Sequence, residues 1–184
     1  MPEQLKSVAE EKQEVLGALS YSRERFLSVV DSVDAELHEK HADDKSWSVL
    51  QCIEHVVNAE EGMLRLWHKL AQPGSEDRAK DLVIRTMNVD RSKKINAPER
   101  VVPQGRLKSV AEARERFVAA RAATITAVEQ MPAEDLRGKI VPHPLVQAAD
   151  GYQLFQIMSG HAERHAEQIE ETVKRLAAHG RGAA

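Results

Sequence analysis

The chain has 184 residues, enough to bury a substantial core without staples, and its net charge of −3 with neutral histidines argues against nucleic acid as its main ligand. Hydrophobic residues make up 42% and charged residues 30%, but aromatics only 4%, which favours packed helices over a β-sandwich. No apolar run approaches the ~20 residues of a membrane span, the start Met1-Pro2-Glu3-Gln4 carries no signal peptide, and Cys52 is the one cysteine; the expectation is a single helical domain over residues 1–184, cytoplasmic and away from membranes.

In chain order, a first helix is expected from about Pro2 to Val33, with Leu5, Val8, Val15, Leu19, Phe26 and Val30 on its buried face. The segment Asp34 to Lys45 places His38 and His41 among charges, as solvated loop histidines. A second helix starts near Ser46, with Ser48/Gln51 as an alternative capping box, and runs to about Ala71 before Pro73-Gly74. On it Gln51, Glu54, Asn58, Glu61 and Arg65 fall on a polar arc, and the wide apolar arc opposite is expected to meet more than one neighbour, which leaves open a homodimer in which a second subunit finishes that face. Asp77 to Met87 reads as a short helix, followed by the basic residues Arg91, Lys93 and Lys94 and extended chain at Pro98 and Pro103. A connection this long can cross the bundle and let the second and third long helices run parallel. The third opens at the capping box Ser109-x-x-Glu112 and stops before Pro132; Pro132 to Asp150 reads as a loop with His143 in rigid chain between two prolines. A last helix spans Gly151 to Ala178.

Two residues on these apolar faces call for partners. Glu60 lies within the apolar arc of the second helix, so it is either a paired core group or a functional one. Arg121 lies close to the inner stripe of the third long helix; it either snorkels, anchors a carboxylate substrate, or pairs with Glu60. Both are candidates for a catalytic role. On the last helix His161 and His165 are four apart, one above the other, with Cβ atoms roughly 5–6 Å apart, close enough to reach one metal ion that would need a third ligand from elsewhere. The alternative is two core histidines held by hydrogen bonds. His55 sits at the edge of the apolar arc beside the small residues Ser48, Cys52, Ala59 and Gly62, which leave room for an ion or substrate, although taken alone it reads as structural. Cys52, three residues before His55, reads as a compact core residue in preference to a ligand.

The order Trp47-Ser48, His55 and Glu60, Ala97-Pro98, Pro103-Gln104-Gly105, Phe117 with Arg121, His143-Pro144, Gly151-Tyr152 and His161-x-x-Arg164-His165-x-x-Gln168-Ile169 resembles the DinB/YfiT-like superfamily over nearly the whole chain. The resemblance implies an all-α four-helix bundle with a long crossover between its second and third helices, and a metal site formed by His55, His161 and His165. It also implies a choice of chemistry, because the superfamily includes thiol-dependent S-transferases and isomerases, metal-dependent hydrolases, and members with no known reaction. Three neutral imidazoles leave an open position on a divalent ion, Zn²⁺ or Ni²⁺, as catalytic sites do. Glu163 and Glu167 point away from the histidine face, which leaves Glu60 as the one helical carboxylate inside and favours a metal-activated thiolate over base-assisted hydrolysis. Gln168 and Thr172 continue the histidine face as supporting groups or as ordinary buried polar residues. The expected partner is a small electrophilic substrate with a low-molecular-weight thiol; the alternatives are a metal-holding stress-response protein without turnover and a bundle with core histidines and no metal. Metal affinity is expected to fall as pH drops through about 6.5, where free imidazole protonates.

Overall fold

The first helix, α1 (Val8–Asp31), begins later than expected because Ser7 closes a capping box: its hydroxyl accepts from the Glu10 N–H at 3.3 Å, and the Glu10 carboxylate accepts from the Ser7 N–H at 2.8 Å. The computed structural model describes residues 6–92 and 96–181, without the side chains of Val89 and residues 179–181. Pro2, Leu5, Lys93, Lys94 and the His179 side chain lie outside the described residues. The second helix, α2 (Val49–Leu70), takes the alternative cap: Ser48 and Gln51 form the box, while the Ser46 hydroxyl donates to the Asp43 carbonyl in the preceding turn. The crossover then holds a short strand β1 (Gln72–Pro73), helix α3 (Ala79–Val89) and a 3-10 turn at Glu99–Val101 before α4 (Val110–Gln130).

Residues Pro132 to Asp150 are ordered, not the simple loop expected. A one-turn helix α5 (Asp135–Gly138) leads into an antiparallel hairpin of β2 (Lys139–His143) and β3 (Gln147–Asp150), with Ile140 opposite Asp150 and Val141 opposite Ala149. β1 adds to the other edge of β2, so a three-stranded sheet β1-β2-β3 closes one end of the bundle. The signal was the short β-branched run Ile140-Val141, too brief to show a period of two before Pro142 and Pro144. Asp150 ends the hairpin and accepts from the Gln153 N–H at 2.9 Å, so α6 (Gly151–Arg181) starts without an intervening loop.

The four long helices pack as a ring in which α1 touches α6 and α4, and α2 touches α4 and α6. Side-chain pairs give the directions. Glu54 meets Arg106, just before α4, and Glu60 meets Arg121, so α2 and α4 run parallel. Ser159 donates to the Ala18 carbonyl and Arg25 pairs with Glu170, so α1 and α6 are parallel as well. Cys52 faces His165 while His55 faces His161, making α2 and α6 antiparallel. This is the four-helix bundle with a crossover between its second and third long helices. α3 packs on the outside of α6 through buried Ile84, leaving Leu82 and Val83 exposed. None of the described helices is long and apolar enough to cross a membrane.

The core divides into two apolar clusters. One holds Phe26 and Phe117, with ring centroids 4.6 Å apart, and the other holds Trp67 and Phe155 at 5.6 Å. Between them lies a polar layer. Arg121, 0% exposed, donates from Nε and Nη2 to the two Glu60 oxygens at 2.7 and 3.0 Å, from Nη1 to the Leu19 carbonyl at 2.9 Å and the Ser22 hydroxyl at 2.6 Å, and from Nη2 to the Met158 carbonyl at 3.2 Å. All five guanidinium N–H groups are engaged, and the five bonds join all four long helices.

A candidate metal centre in an open cavity

His55 on α2 and His161 and His165 on α6 come together where the two antiparallel helices cross, each offering a ligand nitrogen within 4.8 Å of the others. The capping box at Ser48 sets the start of α2 and hence the rotation that turns His55 inward. On α6 the one-turn spacing of His161 and His165 places their ring centroids 4.4 Å apart. His55 Nδ1 lies 2.9 Å from the Val101 carbonyl, and a carbonyl only accepts, so Nδ1 carries the proton and Nε2 presents its lone pair to the centre. That lone pair is 3.1 Å from His161 Nε2, close to the separation of two nitrogens bound at ~2.0–2.1 Å to one ion.

His165 is held in a similar way by sulfur. Cys52 Sγ lies 3.4 Å from His165 Nδ1, a hydrogen-bond contact that holds the outer ring nitrogen, and 3.9 Å from the His165 carbonyl oxygen. Burial pushes the Cys52 pKa up to about 12, which keeps it a thiol. Among the described residues the cluster of potential ligands is the three histidines without Cys52. The Trp47 ring lies over this group, 4.7 Å from the His55 ring and 6.4 Å from the His165 ring.

Burial holds all three imidazoles neutral. It lowers the pKa of His55 against the opposing pull of the Val101 bond, takes His161 to about 3 with help from the neighbouring His55, and sets His165 well below the usual value. Neutral and close, with His55 and His165 oriented by Val101 and Cys52 behind them, the rings fit a divalent ion. In the folded chain burial therefore disfavours protonation of each of the three rings.

Beyond the triad opens a cavity of about 920 Å³. His143, on β2, lines it and is 7% exposed; the Leu145 N–H donates to its Nδ1 at 3.4 Å, which leaves the proton on Nε2. Burial and the nearby Arg100 lower the His143 pKa to about 4. Gln168 and Thr172 also line the cavity, with the Thr172 hydroxyl donating back to the Gln168 carbonyl at 2.9 Å. Arg91 lines it too, paired with Glu171.

Glu60 and Arg121, the catalytic candidates, do not line the cavity. They face each other in the layer between the core clusters, which is the pairing alternative, and leave no polar atom for a substrate. Glu163 is half-buried with a pKa raised by burial, and it lies off the cavity lining, as does Glu167.

Sequence reasoning missed Glu54. Placed on the solvated arc of α2, it is 1% exposed, and its carboxylate accepts backbone N–H bonds from Gln104, Gly105 and Arg106 at 3.0, 3.1 and 3.1 Å. Gly105 supplies the positive φ of 66° that lets three successive amides converge. Glu54 thereby pins the crossover that carries Val101 to His55. The motif Pro103-Gln104-Gly105 was the available signal.

The chain is thus a four-helix bundle with a three-histidine cluster at the wall of an open cavity. A family model of the DinB superfamily matches residues 18–169, and the chain belongs to that superfamily. Among solved structures it is similar to YfiT from Bacillus subtilis, described as a "probable metal-dependent hydrolase with an unusual four-helix bundle topology", with 12% identity over 96% of this chain and 93% of that one and a TM-score of 0.61. A conserved protein from Enterococcus faecalis matches at 12% identity, 90% and 96% coverage and a TM-score of 0.62. The colibactin self-resistance protein ClbS, solved in complex with double-stranded DNA, matches at 14% identity, 89% and 94% coverage and a TM-score of 0.51. These likenesses establish the fold. No curated protein sequence matches.

Proposed function

We propose that the chain is a metal-dependent enzyme whose divalent ion, Zn²⁺ or Ni²⁺, is held by His55, His161 and His165, and that it transfers a small thiol to an electrophilic substrate. The observation that carries this reading is the convergence of three neutral imidazole nitrogens within 4.8 Å of one another at the wall of a cavity of about 920 Å³. A bound ion would supply Lewis-acid activation of a nucleophile there, by lowering the pKa of a thiol or of water.

The chain's own residues do the positioning. Val101 and Cys52 fix the outer nitrogens of His55 and His165, so the inner nitrogens meet the ion without a search over ring orientations. His143 offers an Nε2–H to a substrate in the cavity. Among the described residues the one carboxylate lining the cavity, Glu171, is already paired with Arg91. Hydrolysis wants a base to relay a proton, whereas thiol transfer would need only the lowered thiol pKa that a bound ion would supply, and this favours transfer. A concave cavity of this volume suits a small molecule, and the net charge of −3 supports a small-molecule ligand over nucleic acid.

The test has two parts. Metal content of tag-free protein should be near stoichiometric in wild type and lost in His55→Ala, His161→Ala and His165→Ala, but kept in His38→Ala, His41→Ala and His68→Ala. Conjugation assays pairing low-molecular-weight thiols with activated electrophiles should then show turnover that follows metal content. Metal in wild type with no conjugation and clear ester or amide hydrolysis would replace transfer by hydrolysis; metal with neither activity would leave a metal-holding protein.

A further inference from the structure

The triad sits at a junction between two arms of the cavity. Because α2 and α6 are antiparallel, the α2 residues that line the cavity beyond His55, from Ala59 to Leu70, lie on one side of the triad, and the α6 residues beyond His165, Gln168 to Arg175, lie on the other. The α2 arm has an apolar floor, with Ala59, Met63, Leu66 and Leu70 lining the same cavity as Ile157 of α6 and Leu145 of the hairpin, and with Arg65 and Lys69 beside them. From Ala59 to Leu70 is eleven residues, or about 16 Å at 1.5 Å per helical residue.

Four features give this arm the marks of a ligand site. Leu70 and Leu145 are 51% and 47% exposed at its mouth, a cost that packing within the chain does not explain. Gly62 lies in the middle of α2 and lines the arm, yet a Cβ added there meets nothing within 4 Å, so no neighbour requires the glycine; the missing side chain keeps the cavity open. Lys69 and Arg100 line the same cavity, and among the described residues neither has an acidic partner within ion-pair distance, unlike Arg65, Arg91 and Arg175. The ring of His143, 7% exposed and with Nδ1 already occupied, adds an N–H donor to the same wall.

We propose that this arm is a binding subsite for a free amphipathic anion, a small molecule with an apolar body and a carboxylate, sulfonate or comparable head. The body lies along Ala59, Gly62, Met63 and Leu66, and Lys69 and Arg100 hold the charge. Together with the proposed function this makes the anion the acceptor substrate, and the polar arm beyond His165 is left for the thiol; the binding itself requires no metal.

Two fluorescent probes of the same shape test it on metal-free full-length protein: anilinonaphthalene sulfonate, which is anionic, and N-phenyl-1-naphthylamine, which is neutral. Wild type should bind both, the sulfonate about fivefold or more tighter at low ionic strength, with the preference shrinking as salt screens the two cations. In Lys69→Gln/Arg100→Gln the two affinities should converge through weaker sulfonate binding alone. Gly62→Leu should fold at least as well as wild type, keep metal binding at the triad, and lose about tenfold or more for both probes, because the new side chain fills the arm. Leu145→Asp, at an exposed position, serves as a second block and should weaken the sulfonate most. Unchanged binding of both probes in Gly62→Leu and Leu145→Asp would overturn the proposal, as would a wild type that does not favour the anion. The metal reading fails separately, by loss of metal in wild type with probe binding intact.

Discussion

Replacing Arg121 by methionine tests whether the Glu60–Arg121 layer holds the bundle or serves the site. The substitution keeps most of the side-chain volume, removes five N–H donors, and strands Glu60, 2% exposed, between two apolar clusters. Breaking a buried ion pair by deleting one partner costs about 3–5 kcal/mol. The lost bonds to Leu19, Ser22 and Met158 fall within that range and do not add to it, because all five belong to one network. Against a typical stability of roughly 5–15 kcal/mol this is about a fifth of the total or more, and at ~2–4 °C per kcal/mol the melting midpoint should fall by roughly 6–20 °C. Urea denaturation of metal-free protein measures it, and the double variant Glu60→Leu/Arg121→Met should recover most of the loss, since an apolar pair leaves no buried charge. Metal stoichiometry should be unchanged in the folded fraction, because neither residue reaches the cavity. A loss below about 1 kcal/mol with an unchanged m-value, or a double variant less stable than Arg121→Met alone, would refute the assignment of this pair as the core's polar pin.

Three further outcomes follow from the site. Cys52→Ala should retain stoichiometric metal while its affinity weakens by about 10-fold or more, because the thiol orients His165 without binding the ion; complete metal loss with intact helicity would make it a ligand. Metal-free protein should lose stability as pH falls below about 6.5 toward 3: His161 stays neutral in the fold to about 3 whereas the unfolded imidazole protonates near 6.5, so acid favours the unfolded state, and His161→Gln should flatten that part of the profile. Glu54→Ala should cost about 3 kcal/mol and speed amide exchange at Gln104, Gly105 and Arg106, since three charge-assisted bonds disappear together; unchanged exchange there would show that the crossover is held by other means.

The parts of the fold legible in the sequence were those whose signal is local. Capping boxes, the periods of the long helices and the proline stops required only near neighbours, and the i, i+4 spacing of His161 and His165 put two imidazoles on one helix face before any third histidine was placed beside them. His55 was not legible by itself. Its role depends on Val101, 46 residues away, turning its ring, and no period along α2 distinguishes an edge histidine facing a cavity from one facing a loop. Glu54 failed for the related reason that a helical arc only says which residues face away from the neighbouring helices, and here the neighbour was irregular chain. The chain returning over that arc offers three bare N–H groups, so an ionised carboxylate is what the burial requires, and a helix face read as solvent is in fact an anchor. The same physics joins the two misses. Glu54 fixes residues 104–106, that fixed end positions the 3-10 turn at Glu99–Val101, and the turn presents the carbonyl that selects the His55 tautomer. A residue with no contact to the centre thus sets one of its three nitrogens, and weakening it should lower metal affinity even where helicity and the histidines are untouched.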